Sequence, residues 1–430
     1  MKRILINDVR SHINQVINIQ GWIKKVRCHG NITFIIIKDR SEYIQTVYEG
    51  ELPVKLNKES AISIRGKVVR ESRAKGGVEV KIIPNGIEIV SEVIDQLPFE
   101  IEKVSKNINP QNIYNHRALG LRNNKLHSIF KIQSEILTSF RKFLNKEGFL
   151  EIATPKIVSS GTEGGTELFE IKYFEQKAYL AQSPQFYKQM MVGAGYERVF
   201  ETGKAYRAEK HDTSRHINEY MSLDLEMGFI EDHKDIMNFE NRLLGYIVDH
   251  LNHHNKKEFD VLGVENPDVP ESIPVITFEK AVEIIQKKYK KEIYNNLDPD
   301  GERMIADWAQ EKYNSDWLFI ENFPLSKRPF YTMYYQENPE ISKSFDLLYK
   351  GLEVTTGGQR IHLYHMLVDS LVNSGLDPEE YSSYLDIFQY GMPPHGGLAI
   401  GLERLTMQLC NLDNIREASL FPRDRSRLTP

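Results

Sequence analysis

The residues best placed to do chemistry lie between Val199 and Ile230, in VFETGKAYRAEKHDTSRHINEYMSLDLEMGFI. This stretch reads as a strand, a charged loop and a second strand. In the second strand Met221, Leu223, Leu225 and Met227 alternate with Ser222, Asp224 and Glu226. At a period of two, one face is apolar and the other carries two carboxylates. The first strand runs directly into Arg207 and Glu209, and the connecting loop holds Lys210, Arg215 and His216, a basic set suited to polyphosphate. A hairpin that aims an arginine and acidic groups into one cleft predicts a nucleotide site that also holds an amine. Taken alone, the pattern fits an ordinary amphipathic hairpin equally well.

A second element raises the odds. Gly391 to Leu405 reads GMPPHGGLAIGLERL, a glycine-rich strand that opens into a helix near Leu402. Gly396, Gly397 and Gly401 permit close backbone approach. Arg404 falls in the first helical turn, where free amides and the helix dipole also favour phosphate. His395, just before the glycines, is open to either a phosphate contact or a structural role. Neither GxxxxGK[ST] nor GxGxxG occurs, which excludes a P-loop and a Rossmann phosphate site.

Other elements must hold these groups in place. From about Val16 to Val90 short alternating strands follow one another, with Gly30, Gly66 and Gly76–Gly77 at turns. Five such strands in under 100 residues predict a small closed barrel of the OB type. Its first hairpin sets Lys24, Lys25 and Arg27 beside Phe34 and Gln45, the makeup of a single-strand nucleic-acid reader. Phe34 as a plain core residue is the competing reading. Residues 96–122 are polar, carry Pro98 and Pro110, and read as a linker. A long amphipathic helix follows over about Lys125 to Lys146, with Gly148 after its end, and then an extended segment around Pro155. A second helix over Asp232 to Leu251 is capped by Asp232. Residues 258–322 are charged and read as an insertion on the main domain. The expected organisation is therefore 1–95, 96–122 and 123–430. His253 and His254, trailing the second helix, read as solvated.

Composition sets bounds. The chain has 430 residues, 40% of them hydrophobic, and a formal net charge of −5, so nucleic acid must be met by local basic patches. Cys28 and Cys410 form neither a metal-ligand spacing nor a disulfide framework, which favours a reducing cytoplasm. The N-terminus has no signal-peptide core, and no apolar run is long enough to span a membrane.

Three of these elements, the helix ending in TPKI with Pro155, the hairpin around Arg207, and GLAIGLERL with Arg404, resemble motifs 1, 2 and 3 of the class II aminoacyl-tRNA synthetases. The barrel ahead of them resembles subclass IIb, and within it the short archaeal/eukaryotic-like aspartyl type. The likeness covers nearly the whole chain, including SSGTEGGTELFEIKYF, AQSPQFYKQ, GGQRIH and FPRDRSRLTP. It implies an α+β fold: an OB barrel, then an antiparallel sheet flanked by helices. It also implies a ligase that joins L-aspartate to ATP with release of pyrophosphate and passes the acyl group to tRNA(Asp), with tRNA(Asn) left open. No protein nucleophile is needed; positioning and charge neutralisation do the work.

Residue roles follow from the same resemblance. Arg207 contacts the α-phosphate and the substrate carboxylate, and Arg404 the γ-phosphate and adenine. Tyr220 stacks on the other adenine face, and Glu209, Arg215, His216 and Glu353 line the ATP site. Asp346 and Glu353 resemble Mg²⁺ ligands, with Thr356 adding a hydroxyl. Seven residues apart, these two carboxylates would face opposite ways in one strand, and a turn at Tyr349–Lys350–Gly351 is expected to bring them together. Lys188 and Arg360 match positions that grip the aspartate β-carboxylate. Ser183, Gln185 and Asp224 hold the α-ammonium with Glu163, on a loop whose glycines suit a lid. Phe34, Gln45 and Glu79 match anticodon positions. Lys24 and Ile361 depart from the family pattern, and Lys24 leaves strict against relaxed tRNA choice open. A homodimer is implied by the motif 1 helix and Pro155. The runner-up is an asparaginyl enzyme, disfavoured by Lys188. The third reading is a synthetase paralogue with an amide-ligase or binding role.

Overall fold

The structure is a computed structural model describing residues 2–103, 108–162, 167–211, 213–294 and 296–430. The chain divides into two compact units, residues 1–98 and 99–430.

In the first unit, β1 (Val16–His29), β2 (Ile32–Lys38), β3 (Tyr43–Glu49), β4 (Ala61–Arg70) and β5 (Val78–Ser91) close a barrel in the order β1-β2-β3-β5-β4. Alternation sorts the side chains: Ile17, Ile19, Ile35, Ile37, Ile62, Ile64 and Val80 fill the interior. Lys24 does not join the basic patch expected on the first hairpin. It is the extra residue of a β-bulge between Ile23 and Lys25. Its ammonium is buried against Glu59 Oε1 at 2.7 Å, leaving Lys25 and Arg27 as the basic residues of that strand.

The second unit begins earlier than a linker ending at 122 would allow. Two short helices, α1 (Pro110–Asn115) and α2 (Arg117–Gly120), precede the long α3 (Asn124–Lys146). Arg117 is 1% exposed and donates to the carbonyls of Arg416, Glu417, Ser419 and Leu420. Burial pulls the pKa of its guanidinium down to about 10, against the opposing pull of Tyr114 and Glu417. The segment looked like a linker because its charged and polar residues serve carbonyls far along the chain, which leaves no local pattern.

After α3 come β6 (Leu150–Glu151), a small sheet of β7 (Ile157–Val158), β8 (Glu170–Tyr173) and β9 (Gln176–Leu180), and α4 (Gln185–Met191). The hairpin β10 (Arg198–Tyr206) and β11 (Glu219–Gly228) pairs as the alternation predicts, with Glu201 opposite Asp224. Next are α5 (His233–His254), α6 (Lys256–Leu262), β12 (Val275–Thr277), α7 (Phe278–Tyr289), α8 (Pro299–Tyr313) and β13 (Trp317–Glu321). The chain continues with β14 (Tyr334–Tyr335), β15 (Asn338–Ser342), β16 (Ser344–Tyr349), β17 (Leu352–Arg360), α9 (Tyr364–Asn373), α10 (Ser382–Leu385), β18 (His395–Gly401) and α11 (Leu402–Leu409). Asp232 caps α5 through a reciprocal capping box with Asp235, and His253 and His254 are exposed at its end.

Eight strands form the main sheet in the order β12-β13-β16-β17-β18-β11-β10-β6, antiparallel except for its outermost pairs. The charged segment read as an insertion thus supplies two of those strands, and every residue of β13 is buried. It escaped notice because a strand buried on both faces has no alternation. One face of the sheet, including Phe200, Leu223, Leu225, Phe345, Leu347, Leu398 and Ile400, packs on α3 and α5. On the opposite face Leu318, Ile320 and Leu348 pack under α7 and α8, and the polar groups lie over β11, β17 and β18. No helix among the described residues is long and apolar enough to cross a membrane.

Candidate active site

A cleft of about 320 Å³ opens on the polar face. Arg207, Glu209, Arg215, His216, Tyr220, Glu353, Thr356 and Arg404 all line it, with Ala399 and Gly401 of β18 as part of its floor. The sequence-predicted nucleotide residues therefore converge on one cavity, although they come from three separate stretches. Antiparallel pairing explains the convergence, since Ser222 stands opposite Gly401 and Asp224 opposite Ala399. Small residues on β18 leave the space. At Gly397 a Cβ would lie 2.1 Å from Leu225 O and 2.2 Å from Glu226 Oε2, so only glycine fits. His216 is held neutral: burial, then Arg404 and Arg215, pull its pKa down to about 4.

The turn itself brings Asp346 and Glu353 to one face. Lys350 and Gly351 adopt positive φ (47° and 74°) and reverse the chain. Glu353 then stands opposite Leu348, which shares its face with Asp346 two residues earlier. Beyond that pair the register slips: Leu347 pairs with Thr355 but Leu348 with Glu353, leaving Val354 as a bulge. The bulge brings Thr356 opposite Asp346 on the same face, where its Oγ1 donates to Glu353 Oε1 at 3.0 Å.

These oxygens suit a hard divalent ion. Asp346 Oδ1 is buried without a hydrogen-bond partner among the described residues, and carboxylate and hydroxyl are the donors Mg²⁺ selects. Among the described residues no group of three or more His, Cys, Asp or Glu side chains is placed to hold an ion. Phosphate oxygens and water would have to complete the coordination. Burial raises the Asp346 pKa to about 6, against the pull of Arg328. At Glu353 the opposing charge of Arg404 wins over burial and lowers it.

A second cluster adjoins the cleft through Ser222, whose Oγ donates to Asp224 Oδ2 at 2.5 Å. Lys188, from α4 and 1% exposed, lies 3.0 Å from Asp224 Oδ1 and 3.3 Å from Glu226 Oε2. Arg360 Nε donates to Glu226 Oε1 at 3.0 Å and Nη2 to Gln185 Oε1 at 3.4 Å. Burial opposes the charge of Glu226, yet Arg360 and Lys188 hold its pKa below the usual value. Ser183 and Gln185 open α4 beside this cluster, Ser183 Oγ lying 3.1 Å from Thr162 Oγ1. Glu163 falls outside the described residues. Lys188 and Arg360 are therefore matched internally by Asp224 and Glu226, rather than waiting without an anion. Ile361 is fully buried, pointing into a separate apolar cluster.

His395 has no place in the cleft. It is fully buried, its ring nitrogens 2.8 Å from Pro393 O and 3.1 Å from Gln189 Oε1. Burial pushes its pKa to about 4, so it is a neutral structural group rather than a phosphate ligand.

On the barrel, Phe34 is half-buried on the outer face, while its neighbours Thr33 and Ile35 point inward. It pairs with Arg27 on one side and Val47 on the other. Gln45 shares that face and donates to Glu79 Oε2 at 2.9 Å. Phe34 is therefore not a core residue, and the three positions expected to read bases lie together.

Several site residues had no assigned role in the sequence. Glu226 was visible as a carboxylate on the polar face of β11, and its place beside two cations needed the fold. Glu403 lines the cleft, accepts the Met221 N–H at 3.0 Å, and is raised to about 7 by burial. Glu302 of α8 pairs with Arg215 and accepts the Glu353 N–H at 3.1 Å. Arg328 lies 2.9 Å from Asp346 Oδ2. Glu302 and Arg328 come from stretches with no motif.

With this geometry in hand, comparisons with known proteins place the chain. Residues 109–425 match the model of tRNA synthetases class II (D, K and N), and residues 17–90 that of the OB-fold nucleic acid binding domain. The chain belongs to the class II tRNA synthetases of the D, K and N group. Within that group it is 44% identical, over 100% of both chains, to aspartate–tRNA(Asp/Asn) ligase of Thermus thermophilus. It is 42% identical to aspartate–tRNA(Asp) ligase of Pyrococcus abyssi, over 99% of this chain and 98% of the relative. Among solved structures, asparaginyl-tRNA synthetase of Pyrococcus horikoshii with asparaginyl-adenylate superposes with a TM-score of 0.92 at 30% identity, covering 100% of both chains.

Proposed function

We propose that the chain is an aspartate–tRNA ligase. Its first step would join the α-carboxylate of L-aspartate to the α-phosphorus of ATP, with the bond to pyrophosphate breaking. In the second, a terminal ribose hydroxyl of tRNA takes the acyl group and AMP leaves. The observation that carries this reading is the Lys188–Arg360 pair, held by buried carboxylates beside a cleft lined with Arg207 and Arg404.

Each group has a task. Arg207 and Arg404 neutralise phosphate charge, Arg207 where charge develops on the α-phosphate. Tyr220 offers its ring to the adenine. Glu226 fixes Lys188 and Arg360 so that their remaining donor capacity faces a side-chain carboxylate; an amide would bring no charge to match two cations. Asp224, Gln185 and Ser183, with Glu163, bind the ammonium group. Asp346, Glu353 and Thr356 would hold Mg²⁺, which when bound shields phosphate charge. Phe34, Gln45 and Glu79 would read anticodon bases, Phe34 by stacking. α3 and the exposed Pro155 would form the interface of a cytoplasmic homodimer.

Pyrophosphate exchange tests the substrate. It should proceed with aspartate and fail with asparagine; the reverse would install the asparaginyl reading that the likeness to the Pyrococcus horikoshii structure keeps in play. Charging of purified tRNA(Asp) and tRNA(Asn) then decides whether one or both tRNAs are served. Exchange with aspartate but no charging of either tRNA would favour the paralogue.

A further inference from the structure

Both carboxylates read as metal ligands already face an arginine. Arg328 Nη2 lies 2.9 Å from Asp346 Oδ2, and Arg404 Nη1 lies 3.4 Å from Glu353 Oε1. Arg328 is not a loose surface cation. Its side chain is 10% exposed, and its guanidinium lies over the Phe323 ring, 3.9 Å from the centroid, with Phe323 itself 1% exposed. Arg207 adds a third positive charge that acts on Glu353. The nearby acids do not offset it: Glu302 is occupied by Arg215, and Glu240 is fully buried and uncharged at neutral pH, its pKa raised to about 8 by burial. Locally, three arginines confront two carboxylates. A bare divalent cation entering this field meets repulsion, whereas a triphosphate brings several negative charges with it.

We propose that Arg328 is a stand-in cation for Asp346: it keeps divalent ions out of the nucleotide-free site, so that the ion arrives with the triphosphate. This rests on reading Asp346 and Glu353 as the metal pair. The ion can still be accepted once phosphate is present, because among the described residues Asp346 Oδ1 has no hydrogen-bond partner while Oδ2 faces Arg328. Arg328 need not leave; it needs only to be outweighed. Arg404 differs, since the phosphate it faces can draw it away from Glu353.

The test uses Mn²⁺ alone, titrated into the full chain without nucleotide and followed by electron paramagnetic resonance of the free ion. The wild-type chain should retain no Mn²⁺ at this site. Arg328→Met keeps the stem over Phe323 and removes the charge; it should bind one Mn²⁺ about tenfold or more tightly than wild type. Adding Asp346→Asn to that variant should abolish the gain, and Arg328→Lys, which keeps the charge, should show none. Arg328→Gln replaces Arg328→Met if thermal unfolding shows the latter to be unfolded. The proposal fails if wild type holds Mn²⁺ here as tightly as the charge-removing variant, or if a folded charge-removing variant gains nothing. The metal reading is tested separately: Asp346→Asn alone should raise the Mg²⁺ concentration that pyrophosphate exchange requires. An unchanged requirement would sink that reading, whatever the Mn²⁺ titration gives.

Discussion

Lys188 Nζ lies 3.3 Å from Glu226 Oε2, with the two side chains 2% and 0% exposed. Each is expensive to bury alone, and each makes the other tolerable. With Asp224 and Arg360 beside them the four charges cancel. Selectivity for an acidic amino acid would therefore arise from how the cations are aimed, not from an unmet positive charge.

Removing one member should be felt in the fold as well as in the chemistry. Lys188→Met leaves two buried carboxylates facing one arginine, and unfolding free energy should fall by about 3–5 kcal/mol. Thermal denaturation measures this, and aspartate-dependent pyrophosphate exchange should be lost in the same variant. Exchange at the wild-type rate would remove Lys188 from the amino-acid site.

The pH dependence has a definite sign. The Glu226 pKa is lowered from 4.5 on folding. Its contribution is therefore present above pH 4.5 and is lost as pH falls through the lower folded-state value. Melting temperatures of the wild type should drop across that acid range. Glu226→Gln should start lower at neutral pH and show a shallower acid slope.

Phe34 stands on the outer barrel face, outside the core. Phe34→Ala should leave the melting curve and pyrophosphate exchange nearly unchanged while weakening tRNA binding by about 1–3 kcal/mol, the worth of one base stack. Filter binding of tRNA alongside exchange separates the two effects; equal loss in both would indicate a folding defect.

Gly397 has no room for a side chain. Gly397→Ala forces a methyl against Leu225 O and the Glu226 carboxylate, and should cost about 1–3 kcal/mol. Because the clash pushes on Glu226, exchange should fall further than the shift in melting temperature accounts for.

Much of this was legible in the sequence where local pattern and chemistry coincide. The alternation of β11 gave both its faces, and the spaced glycines of β18 marked the cleft floor. The barrel followed from five short alternating runs. Legibility failed where a residue's role depends on distant partners. Lys24 looked like surface charge because nothing near it reveals Glu59, 35 positions away. The turn at Lys350–Gly351 unites Asp346 and Glu353 as expected, whereas the bulge at Val354 that sets Thr356 opposite Asp346 has no residue signature. β13 was hidden by being buried on both faces, and Arg328 lies outside every motif.

The grip of Arg117 on the carbonyls of Arg416 to Leu420 spans up to 303 positions. Arg117 belongs to a helix at the start of its unit, and the carbonyls that accept from it lie in residues 416–420. That helix can therefore bury its guanidinium only after the 416–420 segment has been made and has docked. A chain truncated shortly before Arg416 should lose these acceptors, leave the helix undocked and be prone to aggregation.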